Sequence, residues 1–209
     1  MSADPIFKIC GITRLTDAMH AVREGATAIG FVFVPSSPRH VRRDVAAEIV
    51  GALPHTVTTV GVFVNASVGE IRATVTGTGI ATVQLHGDEP PSYAGAIGRP
   101  VFRSVTLDNV VEVASAWSHE TTLLLDKADP VRRGGTGEVV EWSRAAIVAR
   151  DRRTILAGGL TPANIEEAIL TVGPCGVDVS SGVEASPGVK DFAKVSQFLK
   201  NARAAYARR

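Results

Sequence analysis

Two residues combine reactive side chains with a position at the end of an apolar run: Cys10 closes IFKIC and Asp126 closes TLLLD. A thiolate is a competent base and a carboxylic acid a competent acid. Set on opposite sides of one site, they suit proton transfers between the first two carbons of an aldose. Lys8 precedes Cys10 by two residues and so shares its face of an extended run. A neighbouring ammonium lowers a thiol pKa from its usual value of about 8.5 and supplies thiolate. Ordinary readings stand beside these. A strand cysteine is often a small buried hydrophobe, and an Asp at a loop start is often only solvated.

A second group of residues has the chemistry of phosphate binding. In LAGGLTPAN (156–164), Gly158 and Gly159 let backbone approach a ligand closely, and Thr161-Pro162 reads as an N-cap followed by Pro at the first helical position. Shortly afterwards DVSSGVE (178–184) offers the hydroxyls and N–H groups of Ser180, Ser181 and Gly182. A lone glycine pair is an ordinary turn, but two such motifs closing consecutive runs form a cradle for one phosphate. The turns halfway along, after 63–67 and 84–89, lack either pattern, so one cradle is expected rather than two. Arg39, in the Pro-rich PSSPRHV (35–41), is either a plain loop arginine or a two-pronged grip for a carboxylate. GGTGEVVEW (134–142) is either a cover over the site or a flexible glycine connection.

The elements that must position these residues alternate down the chain. β-branched runs at 6–10, 28–33, 58–64, 80–86, 100–105, 122–126, 154–159 and 175–180 are each followed by helical spacing, near 14–24, 42–53, 67–77, 90–97, 108–117, 139–150, 162–171 and 189–206. Several runs are almost wholly apolar, as parallel strands buried on both faces require. Eight strand–helix units predict an α/β fold, a single (β/α)8 TIM barrel domain over residues 1–209. An open doubly wound sheet uses the same alternation, but KICGITRLTDA lacks its Gly-rich first turn. Strand alternation assigns Lys8 and Cys10, Gln84 and His86, Arg103, Leu124 and Asp126, and Asp178 and Ser180 to the barrel interior near its C-terminal mouth. Lys8 and Asp178, each two residues before a mouth residue on neighbouring strands, are expected to pair. Cys10 at the end of its strand and Cys175 at the start of its own stand roughly 13–16 Å apart, beyond disulfide reach.

Bulk composition excludes several classes of function. The chain has 209 residues, with 22 basic and 21 acidic side chains and a net charge of +1, which argues against a nucleic-acid partner. No secretory signal and no apolar run long enough to cross a bilayer stand out, and two cysteines suit a reducing compartment. The expectation is a soluble, cytoplasmic protein without a membrane partner.

With these motifs in order, the sequence resembles the phosphoribosylanthranilate isomerases of tryptophan biosynthesis. KICGIT (8–13), GFVFVPSSPRHV (30–41), VGVFVN (60–65), VQLHGDE (83–89), LLLD (123–126), GGTG (134–137), LAGGLTPAN (156–164) and DVSSGVEASPGVKD (178–191) carry the resemblance. It implies an Amadori rearrangement of N-(5-phosphoribosyl)anthranilate, with Asp126 as general acid and Cys10 as general base. It further implies Arg39 on the anthranilate carboxylate, and Gly158, Gly159, Ser180, Ser181 and Gly182 on the phosphate of a small sugar-phosphate substrate. Lys8 and Asp178 are supporting residues. No metal or cofactor is implied, and a monomer or homodimer is expected. Glu138, Val140 and Glu141 depart from the Lys, aromatic and Asp usual in relatives. Three rivals remain: the histidine-pathway isomerase acting on a two-phosphate substrate, a metal-dependent sugar-phosphate epimerase, and a non-catalytic phosphate-binding barrel.

Overall fold

A computed structural model describes residues 4–127 and 141–209. Eight strands, β1 (Ile6–Ile9), β2 (Ala28–Val32), β3 (Thr58–Phe63), β4 (Thr82–Leu85), β5 (Val101–Val105), β6 (Thr122–Leu125), β7 (Thr154–Leu156) and β8 (Gly176–Val179), close in sequence order into a barrel. Every neighbouring pair is parallel, and β1 meets β8 with Lys8 opposite Asp178. The helices are α1 (Leu15–Arg23), α2 (Arg43–Ala52), α3 (Val68–Thr78), α4 (Ser92–Ile97), α5 (Val110–Ala116), α6 (Trp142–Asp151), α7 (Ile165–Val172) and α8 (Phe192–Ala207). This is the α/β barrel that the alternation predicts.

Strand alternation builds the core in two shells. Outward residues such as Ile9, Ile29, Phe31, Leu123 and Leu125 pack on Ala18, Ala46, Ile49, Ile165 and Phe198 of the helices. Inward residues Ala28, Val60, Phe102, Leu124, Ile155 and Ala157 fill the barrel floor, with Cys175 against them. Above the floor the inward positions turn polar: Lys8, Gln84, Ser104 and Asp178 are buried there. Buried polar groups must be paired, so this layer is costly unless its members bond one another.

Three local expectations are corrected. Arg103 does not face the barrel interior; Phe102 and Ser104 do, and Arg103 points into the helix layer. There it stacks over the Trp117 ring at 5.4 Å and pairs with Glu89 at 2.9 Å, which makes an outward charge affordable. Thr161-Pro162 does not open α7. Residues 162–164 form a turn in which Asn164 Oδ1 accepts the Thr161 N–H and Asn164 Nδ2 donates to Gly159 O, so the helix starts at Ile165. The last helix starts at Phe192 rather than 189. The chain first folds back as a short antiparallel pair, β9 (Glu184–Ser186) with β10 (Val189–Lys190), around Gly188 at φ +79°, and Asp191 caps the helix through the Lys194 N–H. The sixth helix starts at Trp142, and residues 139–140 of its expected start lie outside the described residues. Both cysteines are free.

Candidate active site

The C-terminal ends of β1, β6, β7 and β8 bring the chemistry-bearing residues to one mouth. In barrel order β7 and β8 lie between β6 and β1. The glycine pair and the SSG turn therefore stand on the rim between Asp126 and Cys10. Gly158 and Gly159 take φ of +75° and +69°, conformations that glycine adopts without strain. Ser181–Val183 form a single 3-10 turn, and a Cβ on Gly182 would lie 1.9 Å from the carbonyl oxygen of Leu160. That contact leaves glycine as the residue that fits, and it locks the two motifs against each other. The Ser180 hydroxyl is buried without a hydrogen-bond partner among the described residues.

Cys10 is 8% exposed and packs with Val32 and Val62. Gly30, across the β1–β2 pair, makes the room: a Cβ there would fall 2.8 Å from Cys10 Sγ and 3.1 Å from Lys8 Cε. This need for a residue without a side chain was not read from GFVFV. Lys8 Nζ stands 2.9 Å from Asp178 Oδ2, the pairing that their register predicts. Burial works against Lys8's charge, but the Asp178 carboxylate and the neighbouring Cys10 together outweigh it and hold the ammonium above its usual pKa. The expected effect on Cys10 is corrected. Burial pushes the thiol up, and the nearby Lys8 charge, already shared with Asp178, does not reverse it. The resting residue is a thiol.

Asp126 follows β6, its Oδ1 accepting the Lys127 N–H at 2.7 Å. Its Oδ2 lies 3.8 Å from His86 Nε2. His86 Nδ1 is 2.8 Å from Ser104 Oγ and 3.1 Å from Gln84 Nε2. With the Gln84 amide nitrogen turned toward the ring, Nδ1 is the acceptor, the arrangement that puts the ring proton on Nε2, the nitrogen nearer Asp126. Burial, aided by the Lys8 charge, lowers the His86 pKa to about 4. The ring is thus a neutral donor at physiological pH.

A folded pKa near 4, against about 6.5 unfolded, means the unfolded chain binds more protons between those values. The stability from neutral His86 is therefore complete above pH 6.5 and is lost as pH falls toward 4. Between pH 7 and 5 the expected loss is about 2 kcal/mol. Urea unfolding at the two pH values should show it in wild type and show a smaller loss in His86→Gln. A His86 NMR resonance titrating near pH 6.5 would contradict the assignment.

Arg39 reaches the same mouth from the β2–α2 loop, its stem lying over Gly11. Its Nε and Nη2 grip Glu184 at 2.9 and 2.7 Å. Lys190 Nζ also bonds Glu184 at 2.9 Å and donates to the Ser180 carbonyl at 3.2 Å. Burial alone would raise the Glu184 carboxyl, but its bonds from Arg39 and the Lys190 charge bring it below the usual carboxylate range. Burial pulls the Lys190 ammonium below its usual value, with Glu184 opposing. Neither Glu184 nor Lys190 was singled out from the sequence, although both lie inside the DVSSGVEASPGVKD motif. Of the 134–142 segment, 134–140 lie outside the described residues.

Residues 7–201 match the family described as PRAI, N-(5'phosphoribosyl)anthranilate (PRA) isomerase. The chain belongs to the phosphoribosylanthranilate isomerase family. A relative from Geobacter metallireducens named N-(5'-phosphoribosyl)anthranilate isomerase is 46% identical over 198 residues, covering 94% of this chain and 98% of its own. A phosphoribosyl anthranilate isomerase structure from Thermotoga maritima superposes with a TM-score of 0.88 at 40% identity, covering 96% of this chain and 99% of that one. Another solved structure, in complex with reduced 1-(o-carboxyphenylamino)-1-deoxyribulose 5-phosphate, gives 0.85 at 38% identity, with the same 96% and 99% coverage. As a phosphoribosylanthranilate isomerase, the chain is an isomerase of tryptophan biosynthesis. That assignment sets aside the two-phosphate isomerase, the metal-dependent epimerase and the non-catalytic barrel.

Proposed function

We propose that this mouth performs the Amadori rearrangement of N-(5-phosphoribosyl)anthranilate with Asp126 as acid and Cys10 as base. The reading rests on one observation: the phosphate motifs of β7 and β8 stand between the strands that carry Asp126 and Cys10. Gly158, Gly159, Ser180, Ser181 and Gly182 anchor the phosphate, and Arg39 takes the aryl carboxylate. The sugar is then held at both ends, which fixes C1 and C2 between acid and base.

Asp126 gives its proton to the furanose ring oxygen as the C1–O bond breaks, and the nitrogen lone pair forms the Schiff base. Cys10 removes the C2 proton, and the electrons of that C–H bond flow through C1 to nitrogen, giving an enolamine. Protonation at C1 with loss of the C2 hydroxyl proton gives the ketone. Two side chains supply the essential proton transfers, so the reading calls for no metal and no organic cofactor. The raised thiol pKa makes the thiolate the minor form at rest, and the cationic Schiff base beside it favours ionisation when it is needed. Lys8 and Asp178 support the site by keeping a paired, polar barrel interior under Cys10.

The reading carries a small-molecule substrate, a cytoplasmic location and a monomer or homodimer, and involves neither nucleic acid nor membrane. A related Thermotoga maritima structure is described as monomers generated from a dimeric enzyme, and no helix among the described residues is long and apolar enough to cross a membrane. Loss of anthranilate-substrate fluorescence should follow addition of the purified protein, with inorganic phosphate competing. Turnover of the two-phosphate substrate alone would overturn the reading.

A further inference from the structure

The guanidinium expected to grip the substrate carboxylate already holds a carboxylate of its own. Arg39 spends its Nε and Nη2 edge on Glu184, whose side chain is 5% exposed. A simple Arg–Glu pair would be neutral and a poor anion receptor. Here Lys190, its side chain fully buried, shares the same Glu184 oxygen. Arg39, Lys190 and Glu184 therefore sum to one positive charge. The free end of the fork, Nη1, makes no hydrogen bond among the described residues. Lys190 also ties the cluster to the Ser180 carbonyl, and so to the phosphate turn.

We propose that Glu184 is a positioning and specificity residue: it locks Arg39 by one edge so that the other faces the aryl carboxylate, while Lys190 leaves the cluster one charge short of neutral. The inference rests on Arg39 receiving the substrate carboxylate. A guanidinium tethered at Nε and Nη2 loses little freedom on binding, and one unbalanced positive charge matches one carboxylate. A substrate bearing no carboxylate gains nothing from the arrangement. Glu184 touches neither reacting carbon, so its effect belongs in recognition and is carried by KM.

The test compares kcat/KM for N-(5-phosphoribosyl)anthranilate and its aniline analogue, which lacks the carboxylate. The ratio of the two within one protein sample is unaffected by how much of that sample is folded. Wild type should prefer the carboxylated substrate, and Arg39→Met should abolish the preference. Glu184→Gln, which frees Arg39 and leaves Lys190 unpaired, should cut the preference at least about ten-fold, with Glu184→Asp restoring part of it. Lys190→Met, which neutralises the cluster, should also cut it. If Arg39→Met abolishes the preference while Glu184→Gln and Lys190→Met keep it, the role of Glu184 is overturned and that of Arg39 stands. If wild type shows no preference, or Arg39→Met keeps it, the carboxylate reading falls and this inference with it.

Discussion

Cys10→Ala is expected to lower kcat by about three orders of magnitude while KM moves less than about five-fold. In the proposed mechanism the thiol takes the proton from C2, and its neighbours cannot replace it. Lys8 is an ammonium paired with Asp178 at 2.9 Å and has no lone pair to offer. Cys10→Ser should be nearly as slow, because an alkoxide is far harder to form than a thiolate. The fold should survive, since the Cys10 side chain belongs to a small apolar patch with Val32 and Val62 and the Lys8 ammonium keeps its partner Asp178. Losing one sulfur there costs about 1 kcal/mol, which a thermal melt can verify. Substrate binding should survive too, because the proposed phosphate and carboxylate contacts belong to other residues.

The same residue sets the expected pH dependence. Burial raises the thiol pKa, so the unliganded enzyme holds little thiolate at neutral pH. kcat/KM should rise with pH across the neutral and alkaline range, and that rise should be absent from the residual rate of Cys10→Ala. A wild-type profile flat above pH 7 would mean that the thiol is already ionised, and a Cys10→Ala rate within ten-fold of wild type would remove it as the base.

The sequence carried most of this site because strand ends and glycines are local signals. Cys10, Asp126 and the two phosphate turns each close a β-branched run, and parallel strands that close in order must bring such ends to one mouth. What stayed hidden depended on partners far along the chain. Alternation cannot tell whether Arg103 or Ser104 faces inward unless Glu89 and Trp117 are known to wait in the helix layer. Gly30 looks like any strand glycine until Cys10 Sγ and Lys8 Cε are found where its Cβ would be. Lys8 looked like the source of a thiolate because spacing reveals neighbours but not burial, and burial decides the sign. Glu184 and Lys190 lie in a plain motif and gain meaning only when the β9–β10 turn folds them under Arg39, 145 residues distant from Glu184 in sequence. Thr161-Pro162 matched a helix start, but Asn164 closes a turn ahead of it with two side-chain bonds, and that local competition defers the helix.

Asp126→Asn should lower kcat by about two to four orders of magnitude through a different step, and the step can be identified. Asparagine keeps the size of the side chain and can still accept the Lys127 N–H that Asp126 Oδ1 accepts at 2.7 Å. It has no acidic proton for the ring oxygen, so the furanose stays closed and ring opening becomes rate-limiting. His86 cannot substitute: with its pKa lowered to about 4 it is neutral at physiological pH, and its Nε2 hydrogen is that of an imidazole rather than an imidazolium. Deuterium at C2 separates the two residues. In Cys10→Ser, C–H cleavage limits the rate and the isotope effect should be fully expressed. In Asp126→Asn, cleavage follows the slow step and the effect should collapse toward unity. An isotope effect that survives in Asp126→Asn and vanishes in Cys10→Ser would exchange the two roles, and an Asp126→Asn rate within ten-fold of wild type would take Asp126 out of the chemistry.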